Sequence, residues 1–215
     1  MHHFPFLEQH GVTACMSERS DGDGSTRAGC EALFPDSRGM ILLHQVHGTT
    51  LLDSLPENNA AKADGILIQD SSRIAGIRVA DCVPIWILEP EARVGALVHA
   101  GREGTVQGIA GIAVEQIRTR YTVQPENLVA LVGPSAGPCC YEVSAEMALN
   151  FEEIGGIRTE RHLDLWSTNR GQLMAAGLLP DSIEISEICT ICGGRFHSYR
   201  GHETTARNLA ILHIP

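Results

Sequence analysis

The sequence is short of positive charge. Its 215 residues carry 16 Lys and Arg against 26 Asp and Glu, a formal net charge of −10. A protein that tracks a phosphate backbone needs surplus cations to displace counterions, so nucleic acid is excluded as a partner class. Long hydrophobic runs are also missing. No stretch approaches the roughly 20 apolar residues needed to cross a bilayer, so no membrane partner is expected. The opening Met1-His2-His3-Phe4-Pro5 has neither the basic nor the apolar region of a secretory signal. Internal repeats and low-complexity linkers are lacking, which leaves one domain over residues 1–215 as the expectation. Seven cysteines are an odd number and fit a closed disulfide framework poorly. Without export they imply reduced thiols and a cytoplasmic protein.

What is present describes an ordinary soluble globular protein: 43% hydrophobic residues, enough to bury a substantial core. The chain is organised around residues 77–104, IRVADCVPIWILEPEARVGALVHAGREG. Two β-branched runs, 74–88 and 94–100, flank the turn-like Glu89-Pro90-Glu91. Cys82 interrupts the first run and His99 ends the second. Pro84 follows one and Gly101 the other, so the backbone is irregular where the reactive groups sit. On adjacent strands the thiol and the imidazole can meet. A further apolar strand, 40–46, leads to His47.

The other segments follow by period. After Gly104, apolar residues at Val106, Ile109, Ala113, Ile117 and Tyr121 predict an amphipathic helix whose start lies close to His99. Helices are also expected over 144–151 and 165–176, with Gly177 as a stop. Strands are expected over 63–68, 128–132, 182–188 and 206–213, and loops over 19–29 and 54–62. Strands in groups with interspersed helices suggest a mixed-sheet α/β or α+β fold.

Three constellations carry chemistry. His47, Cys82 and His99 form a possible zinc set. Two imidazoles and a thiolate leave one tetrahedral position open, the pattern of a catalytic rather than a structural site. Copper accepts the same donors. Without a metal, Cys82 and His99 would be a nucleophile and its base. The bland alternative is three residues that never meet. Cys189-x-x-Cys192 suggests structural zinc or a redox pair. Zinc there needs two further ligands, and the neighbouring Cys139 and Cys140 are adjacent in sequence, so both rarely hold one ion without strain. No thioredoxin-like context surrounds the pair. Arg195, His197, Tyr199 and Arg200 alternate as a cationic, aromatic cluster able to grip phosphate or carboxylate, or else form a solvated strand edge. Asp21, Asp23 and Ser25 imitate the start of a calcium loop, but Ala32 occupies the position of the required glutamate.

The ordered motifs LHQVHGT, ADG, ADCVP, HAG, GPxxGPCCYEV, LWxxNRxQL and CTxCxxRFHSYR resemble the laccase-domain family of YfiH-type proteins. Members are described variously as polyphenol oxidases and as purine nucleoside phosphorylases. The resemblance spans residues 41–211 and implies a four-layer α/β/β/α sandwich with mixed sheets. It implies zinc, with copper possible, on His47, Cys82 and His99, which are also the catalytic residues. It implies phosphorolysis of adenosine, inosine, guanosine and methylthioadenosine, with adenosine deamination as a companion activity. Arg195, Tyr199 and Arg200 are the candidate residues for nucleoside and phosphate. A copper phenol oxidase, a Cys–His thiol hydrolase and a non-catalytic family member are the rival readings. Two departures stand out. The family continues HAG with Trp-Arg-Gly, where this chain has Arg102-Glu103-Gly104. The family's Gly-rich N-terminal region is barely recognisable in residues 19–29.

Overall fold

The β-branched runs of residues 74–100 form the centre of the fold. In the strands Ile74–Val79, Val83–Glu89 and Val94–Ala100 every residue but Arg78 is buried. Strands with no solvated face must be covered on both sides. The computed structural model, which describes residues 1–36, 39–53, 61–69, 71–202 and 204–215, meets that need with two packed sheets.

The first sheet is ordered His2–His3, Thr13–Met16, Asn208–His213, Ile74–Val79, Met40–Leu42, and only its last pair is parallel. The second is ordered Ile183–Ile185, Val129–Val132, Val83–Glu89, Val94–Ala100, Gly65–Ile68, Leu51–Leu52, with parallel pairs at both edges and antiparallel pairs between. Ile77 and Leu212 of the first sheet meet Trp86, Leu88 and Leu97 of the second in a shared apolar core. On the outer face of the second sheet, Ile85, Ala96 and Val98 pack on the helices Ile109–Tyr121 and Leu165–Ala175. On the outer face of the first, Leu42 and Ile211 pack on the helix Arg27–Leu33. The order is therefore α/β/β/α with mixed sheets. Trp86 ties the two sheets together: its ring is wholly buried, and Nε1–H donates to the Ile211 carbonyl at 2.7 Å. Truncating so large a core side chain costs about 3–5 kcal/mol.

The apolar run 74–88 is not one strand. Asp81, at φ +81°, turns the chain out of the first sheet and into the second. Cys82 sits on that crossing. Other boundaries also shift. The strand expected over 40–46 stops at Leu42, and His47 adopts a left-handed conformation at φ +59°. The helix expected after Gly104 starts at Arg102, breaks at the left-handed Gly108 and resumes at Ile109. The loop expected over 19–29 ends in a helix, because the Thr26 side chain accepts from the Gly29 N–H at 3.0 Å. The alternating residues 195–200 are no strand edge: Tyr199–His202 is a short helix. Of the loop expected over 54–62, residues 54–60 lie outside the described residues. Among the described residues no helix is long and apolar enough to cross a membrane.

Candidate metal centre and its cavity

His47, Cys82 and His99 come together at one end of the second sheet. Cys82 precedes Val83, which pairs with Ala100 next to His99. His47 arrives from the segment after Met40–Leu42. One ligand atom from each residue lies within 4.8 Å of the other two, and the imidazole centroids are 4.9 Å apart. His99 is buried, Cys82 half-buried and His47 exposed.

A buried aspartate builds this meeting. Asp64 is fully buried. Its carboxylate accepts N–H bonds from Val46 at 3.3 Å, His47 at 2.9 Å and Gly48 at 2.7 Å. Those bonds hold the His47 turn in place. His99 Nδ1–H donates to Asp64 Oδ1 at 2.8 Å, which leaves Nε2 as the free donor atom of the ring. Burial opposes ionisation of Asp64, but the His99 hydrogen bond and the backbone N–H groups hold its carboxyl below the usual value. The sequence signal was present in the ADG motif, which was read there without a role.

Gly101 has a steric reason. A Cβ at that position would lie 2.9 Å from the His47 ring and 3.2 Å from the Cys82 sulfur. Glycine lets the backbone approach the donor set closely.

Charge is concentrated here. Burial works against the Cys82 thiolate, yet the His99 charge and hydrogen bonds from both imidazoles bring the thiol down to about 6. Burial likewise works against an imidazolium at His99, but Cys82 and Asp64 raise it to about 9. His47 is raised chiefly by its hydrogen bond with Cys82. The metal-free site is thus a thiolate among imidazoles, a donor set that suits zinc or copper.

The donors open into a cavity of about 680 Å³, within the range of small-molecule sites. Arg78, Arg102, Arg200 and Arg207 line it, with Asp81, Tyr141 and Tyr199. Four arginines around one cavity, in a protein of net charge −10, concentrate positive charge there. Asp81 organises one wall: Oδ1 accepts from the Thr190 hydroxyl and Oδ2 from the Arg200 N–H, both at 2.7 Å. The Arg200 guanidinium stacks on the Tyr141 ring, 4.8 Å from its centroid. Of the residues anticipated for substrate, Tyr199 and Arg200 line the cavity. Arg195 does not; it pairs with Glu18 at 2.7 Å and lies over the Phe196 ring. Sequence reasoning missed Asp64, Asp81, Arg78, Tyr141 and Arg207. Arg102 is paired with Glu103, and Arg102 alone of the two lines the cavity.

The family model described as multi-copper polyphenol oxidoreductase laccase matches residues 23–215. The chain is 33% identical to the purine nucleoside phosphorylase YlmD of Geobacillus stearothermophilus over 97% of this chain and 84% of that protein. It is 31% identical to a purine nucleoside phosphorylase of Corynebacterium glutamicum, over 85% of this chain and 76% of the relative. Among solved structures, YlmD from Geobacillus stearothermophilus superposes with a TM-score of 0.82 at 28% identity, covering 95% of this chain and 92% of that one. The Bacillus licheniformis hypothetical protein YfiH also gives 0.82, at 23% identity, covering 97% and 94%. That second likeness concerns the fold alone.

Proposed function

We propose, from the premise that this chain belongs to the multi-copper polyphenol oxidoreductase laccase family, that it is a zinc-dependent purine nucleoside phosphorylase with adenosine deaminase activity. The observation that carries this reading is the open His47–Cys82–His99 donor set on an arginine-lined cavity. Relatives that are named purine nucleoside phosphorylases and match most of the chain support it. The proposed substrates are adenosine, inosine, guanosine and methylthioadenosine, with phosphate.

His47, Cys82 and His99, the last fixed in tautomer by Asp64, are the residues that would hold a zinc ion, and three protein donors suit a catalytic rather than a structural ion. Such an ion, when bound, supplies Lewis acidity that brings the pKa of a nearby water to about 7. The chain's own residues do the rest. Arg200 and Arg102 hold phosphate by charge-assisted hydrogen bonds. Tyr199, at the cavity's rim, presents its ring to the base. Asp81 fixes the Arg200 backbone and with it the distance from phosphate to the donor set. Holding two reactants in register is where most of the rate of such a displacement originates. In phosphorolysis a phosphate oxygen bonds to the anomeric carbon, and the bond to the purine nitrogen breaks. In deamination water replaces the exocyclic amine, giving inosine and ammonia.

The donor set also favours a second reading. Cys82, His99 and Asp64 stand as nucleophile, base and orienting carboxylate, and the lowered Cys82 thiol suits a metal-free hydrolase. Chromatography of nucleoside, base and inosine, with and without phosphate, on zinc-loaded and chelated protein separates the readings. The phosphorylase reading expects base release that needs both phosphate and metal. Activity that rises on chelation supports the thiol enzyme, and copper in the native protein with phenol oxidation supports an oxidase. No turnover of any of the four nucleosides by the metal-replete protein defeats the purine reading.

A further inference from the structure

Six of the seven cysteines lie outside the site just described, and four of these are gathered in one place. Cys139 and Cys140 follow the strand Val129–Val132; Cys189 and Cys192 follow Ile183–Ile185. These two strands are parallel neighbours, so their C-terminal loops leave the sheet at the same end. The pairing continues past the sheet. Ser135 N–H donates to the Ile188 carbonyl at 3.1 Å, and Thr190 N–H to the Ser135 carbonyl at 2.9 Å. The four sulfur atoms all lie within 4.8 Å of one another. None is in a disulfide, and the Cys139 and Cys192 sulfurs are 3.8 Å apart. A tetrahedron with metal–sulfur bonds of about 2.3 Å has edges of about 3.8 Å.

Adjacent cysteines on an extended chain point apart. Here the chain between Gly137 and Tyr141 is folded tightly: the N–H groups of Cys140 and Tyr141 both donate to the Gly137 carbonyl, at 3.0 and 2.9 Å. That turn brings both sulfurs to the same side as the Cys189–Cys192 pair. The second pair sits in a turn of its own. Gly193 N–H donates to the Cys189 carbonyl at 3.1 Å, and a Cβ on Gly193 would lie 2.5 Å from that oxygen. Gly194 follows at φ +66°. Across the two loops, Gly137 N–H donates to Cys189 Sγ at 3.4 Å.

We propose that Cys139, Cys140, Cys189 and Cys192 form a second metal site, a closed four-thiolate site for one zinc ion with a structural role. Four protein ligands leave no open position, unlike the set in the cavity. Crowded thiols resist ionising together, and a divalent cation removes that resistance. The ion fastens the loop that carries Tyr141 to the segment that leads into Tyr199 and Arg200. Both contribute to the cavity wall, and Thr190, between two of the ligands, donates to Asp81. The site therefore holds the wall in shape without touching substrate.

The test is the metal content of the full-length protein, purified under reducing conditions with zinc and dialysed. Wild type is expected to carry two zinc ions per chain. Cys192→Ser removes the most exposed kind of ligand and should leave one; Cys82→Ala should leave the other; the double variant should hold neither. Cobalt loaded into the Cys82→Ala variant should give the intense sulfur-to-metal absorption of a four-thiolate tetrahedron, and this band should vanish in Cys82→Ala, Cys192→Ser. Far-ultraviolet circular dichroism checks that each variant is folded. One ion in wild type that survives Cys82→Ala and is lost in Cys192→Ser upholds this site and defeats the cavity site instead. A folded Cys82→Ala variant that binds neither zinc nor cobalt, or four thiols found as two disulfides in the reduced preparation, overturns the proposal.

Discussion

Among the described residues two groups of side chains could hold a metal ion, and they are built in opposite ways. The cavity group has two imidazoles and one thiol, opens toward a void of about 680 Å³, and depends on a carboxylate behind it. The cysteine group has four thiols, enough to fill a tetrahedral ion by themselves, and is supported by the Gly137 amide on Cys189. A buried carboxylate behind an imidazole makes the ring a better donor and fixes its tautomer. Amides behind a sulfur fix a turn and favour its anion. The first arrangement prepares a site for reaction, whereas the second prepares a staple. Position agrees with construction. Cys82 stands at the crossing between the two sheets, where the backbone is strained at Asp81. Cys189 and Cys192 stand in a glycine-closed turn at the sheet's end.

The contrast breaks most sharply on removing a donor. Cys82→Ala deletes the one thiolate of the cavity set, and turnover is expected to fall by at least about 10³-fold, in line with losing a group whose misplacement alone costs about 10²-fold. Cys192→Ser should lower turnover far less. Steady-state rates with inosine and phosphate, measured side by side, check this. Comparable losses in the two variants would erase the distinction between a reactive and a structural group.

The supporting shell gives the next effect. Asp64→Asn keeps the shape but removes the charge that His99 Nδ1–H points at. Metal affinity or activity should drop about 10- to 100-fold, the range for carboxylates behind a metal-bound imidazole. Zinc titration against a chelating indicator measures it. An unchanged affinity would show that the backbone alone sets the His47 and His99 geometry.

Much of this comparison was readable in the chain before folding. The apolar runs 74–88 and 94–100 were clear because a doubly buried strand is an unbroken β-branched run. His47, Cys82 and His99 stood out because each closes or interrupts such a run. The sheet crossing at Asp81 was hidden, because a change of partner sheet leaves the apolar pattern intact. Asp64 was hidden too. An aspartate before a glycine reads as a turn, and only folding shows three N–H groups and an imidazole converging on it. The gathering of the four cysteines was hidden in the spacing, because adjacency says nothing of the turn over Gly137–Tyr141 that folds Cys139 and Cys140 together. Arg195 looked like Arg200's partner, but the short helix at Tyr199 separates their directions, and Glu18 takes Arg195.

Protonation sharpens the contrast further. In metal-free protein, Cys82 is held near 6 by His99 and His47, whereas burial and the neighbouring thiols raise Cys140 and Cys139. A lowered thiol is anionic above its pKa and neutral below it. Alkylation of Cys82 by iodoacetamide should therefore be nearly constant from pH 8 to 7. It should fall about tenfold by pH 5, one unit below the midpoint. Peptide mapping of chelated protein follows each cysteine separately. A midpoint near the ordinary thiol value of about 8.5 would mean the imidazoles do not hold the thiolate.

The smallest expected effect tests the cavity's rim. Arg102 and Glu103 stand where the family resemblance expects Trp and Arg, and the two side chains pair with each other. Arg102 lines the cavity, half-shielded by that pairing; Glu103 does not line it. If Arg102 is a phosphate ligand, its removal costs one charge-assisted hydrogen bond, about 1.5–3 kcal/mol in full and less where solvent reaches. Arg102→Ala should then raise the KM for phosphate about tenfold and leave kcat nearly unchanged, because binding is lost equally in ground and transition states. Glu103 competes with phosphate for the same guanidinium. Glu103→Gln frees it without changing size, so the KM for phosphate should fall by a few-fold, the worth of an exposed ion pair. The opposite signs are the point, since a purely structural pair would lose stability in both variants and shift neither KM. A rise in KM with Glu103→Gln would mean that the pair aims Arg102 at phosphate instead of withholding it.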